Sequence, residues 1–175
     1  MVEFERLAAT SPDEAGGVEN WQRAADLWRG PFLDGLNIRA GAAWDEWVVV
    51  TAERLRRHLV LVLRRLSDHH QRSGEPERAL GTARRLTEIN PWDERDHRRL
   101  FRLLAAMGDR AGALAHYEVM VERLEEELGM TPSRNTTALA EQIRAGDVAA
   151  ALAEIELSYP SFLSDAEPPS SPGPR

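Results

Sequence analysis

Apolar residues recur every three to four positions along most of this chain, which is the spacing of helices that bury one face. In one segment, the residues that share such a face are Trp21, Ala24, Ala25 and Trp28. No segment alternates convincingly between apolar and polar residues, as a half-buried strand would. The β-branched run Trp47–Val50 lies inside a longer helical pattern, so we interpret it as helix. The pattern therefore predicts an all-α protein.

Glycine and proline divide this pattern into about six to eight helices. Breaks fall at residues 29–36, 73–76, 90–91 and 129–132. The predicted helices are Phe4–Ala9, Val18–Trp28, Ala43–Arg72, Pro76–Glu88, Asp93–Met107, Arg110–Leu128 and Ser133–Ala145, with a weaker segment at Asp147–Leu157.

A sequence repeat with a 34-residue offset is the most specific signal in the chain. The segment Gly74–Leu80 returns as Gly108–Leu114 with Gly, Ala and Leu at matching positions. This offset is the tetratricopeptide period. Gly permits the left-handed turn that ends a helix, and a small Ala lets paired helices approach closely. The repeat residues are Gly74, Ala79, Leu80 and Pro91 in the first copy, and Gly108, Ala113, Leu114 and Tyr117 in the second.

The second copy lacks a proline where the first has Pro91, and Pro132 follows seven residues later than expected. Seven residues are about two helical turns. We therefore expect the last helix of the repeat to be long and to be capped by Gly129. The predicted fold class is an all-α, tetratricopeptide-like helical-repeat solenoid, which needs capping helices at both ends.

Composition narrows the functional classes. The net charge of -7 argues against a chain that grips nucleic acid alone. All 22 basic residues are arginine, which we interpret as genome composition. The chain has no cysteine, no apolar run long enough for a membrane span and no apolar signal core at its start, so we expect a cytoplasmic location.

No pattern in the sequence indicates catalysis. A nucleotide-binding loop is missing, and nothing assembles a nucleophile with a base. The adjacent His69 and His70 would point about 100° apart on a helix, so we interpret them as surface or interface residues instead of a metal pair. We predict no enzyme activity, no cofactor and no metal.

One helix face carries a basic stripe with spacing i, i+3, i+4 and i+7. Its members are Arg95, Arg98, Arg99 and Arg102. The first interpretation is a surface for an acidic partner. The second interpretation, which we favour for this stripe, is a solvated face whose arginines pair with Glu94 or with the acidic run 122–127. A second set, Arg54, Arg57, Arg64 and Arg65 with His58, leaves the same two interpretations open.

Solenoids usually take partners on the concave face, here the face formed by the predicted first helices Val60–Ser73 and Glu94–Met107. Any partner-binding residues are therefore expected to be the four stripe arginines, with His69 as a weaker candidate outside that face. A tryptophan can anchor an interface or pack in the core. We expect Trp28 to be structural and to pack with Phe32 and Leu33. Both interpretations stay open for Trp44 and Trp47, whose place at the start of a long helix favours packing against the Val18–Trp28 helix.

Several stretches resemble the bacterial transcriptional activator domain. They are Ala25–Leu36, Glu46-Trp47, Glu53–Leu55, Gly74–Leu80 and Glu127–Ser133. The resemblance covers roughly residues 3–145 and implies a tetratricopeptide-like fold that works by protein contact: self-association on repeated DNA sites, coupling to sensor domains or contact with RNA polymerase. In that family the domain usually follows a DNA-binding winged helix, which this sequence lacks. We therefore expect contact with DNA only through another protein or domain.

The sequence thus predicts an N-terminal helix and linker at 1–17, an activator domain at 18–146, a helical extension at 147–160 and a disordered Pro/Ser-rich tail at 161–175. The expected function is a protein-interaction and oligomerisation module of a bacterial transcriptional regulator. Its expected partners are RNA polymerase, a DNA-binding domain or a second copy, and no membrane. Two alternatives stay open: a tetratricopeptide scaffold or adaptor with no transcriptional role, and a ligand-sensing module.

Overall fold

The computed structural model describes residues 1–11, 14, 16–33 and 41–147, and this part of the chain contains seven α-helices and no strand. They are α1 (Val2–Ala8), α2 (Gly17–Leu27), α3 (Ala42–Arg72), α4 (Pro76–Ile89), α5 (Glu94–Ala106), α6 (Arg110–Leu128) and α7 (Arg134–Ala145). The all-α prediction is confirmed, and each predicted boundary lies within two residues of the observed one. The predicted helix at Asp147–Leu157 and the predicted tail fall almost wholly outside the described residues, and the predicted division of the chain into segments stays a prediction.

The helices pack in the order of a helical-repeat array. Each helix contacts the next one along the chain, and in addition α1 contacts α3 and α5 contacts α7. Connections of three residues join α3 to α4 and α5 to α6. Such short connections favour antiparallel neighbours. The arrangement is compatible with the predicted solenoid.

The two copies of the repeat end their first helices with the same hydrogen-bonded turn. Gly74 has a φ of 70° and Gly108 a φ of 83°, both left-handed. The amide N–H of Glu75 donates to the His70 carbonyl at 2.8 Å, and that of Asp109 donates to the Leu104 carbonyl at 2.9 Å. This is the Schellman arrangement, which satisfies carbonyls at a helix end. The same type of turn therefore connects α3 to α4 and α5 to α6.

Helix α6 has the length that the late proline predicted. It spans 19 residues and ends at Gly129, whose φ of 63° is left-handed. The carbonyls at this end accept from the amides of Gly129 and Met130, each at 3.0 Å. The prediction of a long final helix capped by Gly129 is confirmed.

The apolar core forms two clusters that meet at α4. The first joins α1, α2 and α3 with Leu86 of α4, and the second joins Ala79 and Ala83 of α4 with α5, α6 and α7. Ala79 and its repeat equivalent Ala113 are both buried, as close approach of paired helices requires. Helix α4 therefore belongs to both clusters.

Helix α4 also holds the end of α2. The guanidinium of Arg85 donates to the carbonyls of Ala25 at 2.6 Å and Trp28 at 3.0 Å. Both acceptors lie at the C-terminal end of α2, where the Ala25 carbonyl also accepts from the backbone N–H of Trp28. The aromatic ring of Trp28 packs against Phe4 of α1, and its packing with Phe32 and Leu33 stays a prediction.

Two expectations about aromatic and imidazole side chains are wrong. Trp47 is 44% exposed, and its ring contacts Phe32 and Trp44 instead of lying in the core. His70 is buried, with its Nδ1 2.7 Å from a carboxylate oxygen of Glu75, because the turn at Gly74 folds Glu75 back over it. None of the helices among the described residues is both long and apolar enough to cross a membrane.

Candidate partner-binding groove

A groove of about 290 Å³ lies between α3 and α5, the first helices of the two repeats. Its lining comprises Leu61, Arg64, Arg65, Asp68 and Gln71 from α3, and Arg95, Asp96, Arg98, Arg99 and Arg102 from α5. Six arginines and two aspartates give this lining a net charge of +4. The groove is therefore strongly basic on a chain whose net charge is -7.

Arg64 ties the two walls of the groove together. Its Nε and Nη2 donate to the two carboxylate oxygens of Asp96, each at 2.8 Å, and Nη2 also donates to Asp93 at 2.7 Å. Asp96 is 1% exposed, and it also accepts from the side-chain amide of Asn90. A buried carboxylate needs such partners. Burial lowers the pKa of Arg64, but the two aspartates outweigh this effect and raise the pKa overall.

Asp93 begins α5 and orients Arg95. Its side chain accepts from the backbone N–H of Arg95 at 3.0 Å, which caps the helix, and from the Arg95 guanidinium at 3.0 and 3.1 Å. Burial raises the pKa of Asp93, but the hydrogen bonds from Arg95 and the charges of Arg64 and Arg95 outweigh it and lower the pKa to about 2. The carboxylate is therefore ionised throughout the physiological range.

A second ion pair crosses the groove, between Arg99 and Asp68. Both side chains are mostly covered, with 19% and 15% of their surfaces exposed. Arg64 and Arg99 thus connect α3 to α5, and their charges are directed at aspartates of the same chain. These ion pairs therefore join the two walls of the groove.

The other four arginines of the groove keep contact with solvent: Arg65 and Arg95 are exposed, and Arg98 and Arg102 are half-buried. The Arg95 side chain is 72% exposed, Arg98 donates to the Thr136 hydroxyl of α7 at 2.8 Å, and the Arg65 guanidinium lies 5.4 Å from the Trp21 ring centre. Arg102 lines the same groove near the end of α5. A carboxylate ligand that entered the groove would meet these four side chains.

The structure brings all four residues of the predicted stripe into this one groove. Among the described residues their side-chain partners include Asp93, Thr136 and Asp68. Among the ion pairs of the described residues, none joins the stripe to the run 122–127 of α6. His69 does not line the groove and lies 3.4 Å from the Ser73 hydroxyl. Partner binding by these residues stays a prediction.

The second arginine set is divided. Arg64 and Arg65 line the groove, whereas Arg54 pairs with Glu5 of α1 at 3.2 Å and Arg57 lies 3.9 Å from Glu53. His58 lies beside α1, and its buried Nδ1 has no hydrogen-bond partner. No sequence pattern pointed to Asp68 or Asp96, since one aspartate on a helix does not reveal which arginine some 30 residues away it contacts.

The end of α6 carries the opposite charge. Glu122, Glu125, Glu126 and Glu127 are exposed, and they form no ion pair with any residue in the described part of the chain. Two apolar side chains follow directly, Leu128 at 46% and Met130 at 55% exposure. We refer to residues 122–130 as the acidic end of α6.

A second cavity, of about 360 Å³, lies on the side of the molecule formed by α4 and α6. His97 donates from Nε2 to the Pro91 carbonyl at 2.8 Å, which leaves Nδ1 of the neutral ring to accept from His116 Nε2 at 3.3 Å. Arg84 and Arg123 also line this cavity. Burial is the main cause that lowers the pKa of both imidazoles, to about 4 for His116.

A comparison with protein families identifies this fold. The model of the bacterial transcriptional activator domain matches residues 1–144, which is most of the chain. No curated protein and no solved structure matches the chain. The family match agrees with the helical repeat and with the resemblance seen in the sequence. The chain therefore belongs to the bacterial transcriptional activator domain family, whose role lies in the activation of transcription in bacteria.

Proposed function

We propose that this chain is a protein-interaction module of a bacterial transcriptional regulator and that the groove between α3 and α5 is its contact surface. The observation that carries the proposal is the groove itself: four arginines at the surface of a cleft whose walls are fixed by two ion pairs. A rigid site loses little conformational entropy when it binds. Arginine also recognises carboxylates with defined geometry, which suits an acidic protein segment.

Regulation through protein contact agrees with the charge of the molecule. The net charge of -7 repels a nucleic-acid backbone, and the basic groove is too small to accept a duplex. In this proposal the chain contacts DNA only through a DNA-binding domain or partner. RNA polymerase is the partner that would connect such a module directly to transcription.

A reporter assay tests this function. The full chain is fused to an unrelated DNA-binding domain and placed upstream of a reporter promoter, and its affinity for purified bacterial RNA polymerase is measured in parallel. We expect the groove variant Arg95→Glu/Arg102→Glu to lower both readouts by about tenfold or more, because two reversed interface charges cost at least 1.4 kcal/mol by typical estimates.

The matched control reverses two arginines outside the groove. Arg57 and Arg78 are 65% and 62% exposed, so Arg57→Glu/Arg78→Glu makes the same change in net charge. We expect this control to behave as the unmodified chain. Equal reporter activity and equal polymerase affinity for the groove variant and the control would refute the proposed site.

A ligand-sensing function is a second candidate because of the cavity at His97 and His116. Two neutral imidazoles with Arg84 and Arg123 form a polar site between the repeats that would suit a small carboxylate. A screen of small carboxylates by thermal unfolding, with His116→Phe as the control, would detect such a ligand through its stabilisation of the fold.

A further inference from the structure

We infer that the second cavity, between α4 and α6, binds a straight-chain carboxylic acid, with the carboxylate between Arg84 and Arg123 and the alkyl chain along the floor of the cavity. The inference rests on the second candidate function, the sensing of a small carboxylate, and specifies the ligand of that same site. It does not involve the groove between α3 and α5. Three features of described residues carry it: two arginines, two imidazoles and an apolar floor.

The cavity is elongated. Its lining on α6 extends from Asp109 to Arg123, which is about 21 Å along a helix at 1.5 Å per residue. Arg84, Thr87 and Glu88 of α4 form the opposite wall. Helices α4 and α6 both pack against α5, so α5 forms the floor between them. The volume of about 360 Å³ is within the range of small-molecule sites, and the shape suits an extended ligand.

Arg84 and Arg123 lie on opposite walls and supply the positive charge of the cavity. Both are exposed, and in the described part of the chain no hydrogen bond or ion pair engages either guanidinium. Burial is the main cause that lowers the pKa of His116, and nearby positive charges, those of Arg84 and Arg123 among them, add to it. Both guanidiniums therefore lie near the same ring. A carboxylate between them would accept charge-assisted hydrogen bonds from both.

The two imidazoles add polarity to this end of the cavity without adding charge. His97 donates from Nε2 to the Pro91 carbonyl and accepts at Nδ1 from His116. The pKa of each ring is lowered, to about 4 for His116, so both rings are neutral at pH 7.5. At that pH the positive charge near the rings comes from the two arginines, which suits an anion with a single charge.

Glu88 and Asp109 limit the charge of the ligand. Together with the two arginines they give the lining a formal net charge of zero. Asp109 lies 14 residues from Arg123 along α6, where its carboxylate accepts from the backbone N–H of Gly112 at 2.8 Å. These carboxylates repel a phosphate dianion more than a monocarboxylate. A dicarboxylic acid would bring its second charge toward Asp109.

The surface between the two charged ends is apolar. Leu100 and Leu104 of α5 and Met120 of α6 are at most 5% exposed, and Val119 of α6 is 49% exposed. An alkyl chain that covers these side chains removes apolar area from water on the ligand and on the protein. We therefore expect affinity to increase with chain length until the alkyl chain reaches Asp109.

Isothermal titration calorimetry of the full chain at pH 7.5 tests this inference with butanoate, hexanoate and octanoate. We expect one molecule bound per chain and a dissociation constant that falls about threefold to fourfold for each added methylene. Hexanamide, hexyl phosphate and hexanedioate keep the six-carbon chain and change the charge of the ligand. Each should bind about tenfold more weakly than hexanoate or worse.

Two variants locate the bound acid. Arg84→Gln/Arg123→Gln removes both charges and should raise the dissociation constant of hexanoate about tenfold or more. Val119→Phe narrows the cavity and should weaken octanoate more than butanoate. The control Arg57→Gln/Arg78→Gln removes two exposed arginines outside the cavity and should bind hexanoate as the unmodified chain does. All substituted positions are exposed, so circular dichroism should show intact helices.

Three outcomes would overturn the inference: no binding of hexanoate, a dissociation constant that does not depend on chain length, or an arginine variant that binds hexanoate as tightly as the control. Tighter binding of hexyl phosphate than of hexanoate would also overturn it, because the site would then select phosphates.

These failures are distinct from failure of the proposed functions. A chain that binds another small carboxylate but not hexanoate keeps the ligand-sensing function and loses this inference. A chain that binds no acid but requires the groove for polymerase binding keeps the interaction function. A chain that binds hexanoate while its reporter fusion is inactive and it does not bind polymerase loses the interaction function and keeps this inference.

Discussion

His97 makes a contact with the imidazole of His116 that the equivalent residue in the first repeat cannot make. His97 occupies the repeat position of Leu63, 34 residues earlier, and both are buried. At His97 the second helix supplies another imidazole at 3.3 Å. Burial disfavours the charged form of each ring, and for His116 the nearby charges of His97, Arg84 and Arg123 add to this effect.

This pair makes the stability of the fold depend on pH in a defined window. The pKa of His116 is lowered from 6.5 to about 4, so the unfolded chain binds more protons than the folded chain between these values. The stabilisation is complete above about pH 6.5 and is lost as the pH falls toward 4. We expect the free energy of unfolding in urea to be about 2 kcal/mol lower at pH 5 than at pH 7.5.

The variant His116→Gln separates this effect from other titrations. It removes the second imidazole but keeps a side chain that can donate to His97. The lowered pKa values of Asp93 and Glu94 act mainly below pH 5, and so contribute little to the difference between pH 5 and pH 7.5. The variant should therefore lose most of the difference between pH 5 and pH 7.5, and a difference as large as in the unmodified chain would contradict the assignment.

At the scale of the helix, the turns that end α3 and α5 depend on backbone conformation and not on packing. A Cβ added at Gly108 would meet no atom within 4 Å, but the φ of 83° is unfavourable for any residue with a side chain. We expect Gly108→Ala to lower the free energy of unfolding by about 1–2 kcal/mol, the cost of a left-handed alanine. Urea denaturation measures this change.

Gly81 provides the opposite control. It lies within α4, its added Cβ would also meet nothing within 4 Å, and its φ is not positive. Alanine is a better helix former than glycine by about 0.8–1 kcal/mol. Gly81→Ala should therefore stabilise the fold, and two alanine variants that destabilise equally would contradict the assignment of the Gly108 effect to its positive φ.

The helices themselves could be predicted from the sequence because their signals are local. Pro76, Gly74 and Gly108 mark the ends of helices by their own stereochemistry, and the 34-residue offset places them in register. The groove could be predicted only in part. The spacing of Arg95 and Arg102 puts them on one face, but their ionic neighbours depend on which helices pack side by side.

The tryptophans at the start of α3 show the same limit. Trp44 and Trp47 have the spacing and size of core residues, yet Trp47 is 44% exposed and its ring contacts Trp44 and Phe32. Helix α3 has 31 residues and packs against α1, α2 and α4. The spacing of its apolar residues does not show which of its turns those helices cover.

At the scale of the whole molecule, the core consists of two apolar clusters that share α4. In repeat proteins such neighbouring units contribute separate terms to stability. Leu7 is 1% exposed in the first cluster and Leu139 is 1% exposed in the second. Each Leu→Ala variant should cost about 2–5 kcal/mol.

Hydrogen exchange followed by mass spectrometry would show whether the clusters open separately. We expect Leu7→Ala to accelerate exchange in α1 and α2 far more than in α6 and α7, because the second cluster keeps its own contacts. Leu139→Ala should produce the reverse pattern. Uniform acceleration across all helices in both variants would indicate a single cooperative unit instead.

The matching turns at Gly74 and Gly108 have a consequence for how such chains can grow. The segment 74–107 runs from one of these turns to the next. The same backbone geometry is found at both of its ends, and equivalent small residues face the neighbouring helices. A tandem duplication of this segment would insert one second helix and one first helix without disturbing either flanking surface. Each such event would add another wall to the groove, so gene duplication alone could lengthen the stretch of partner that a member of this family recognises.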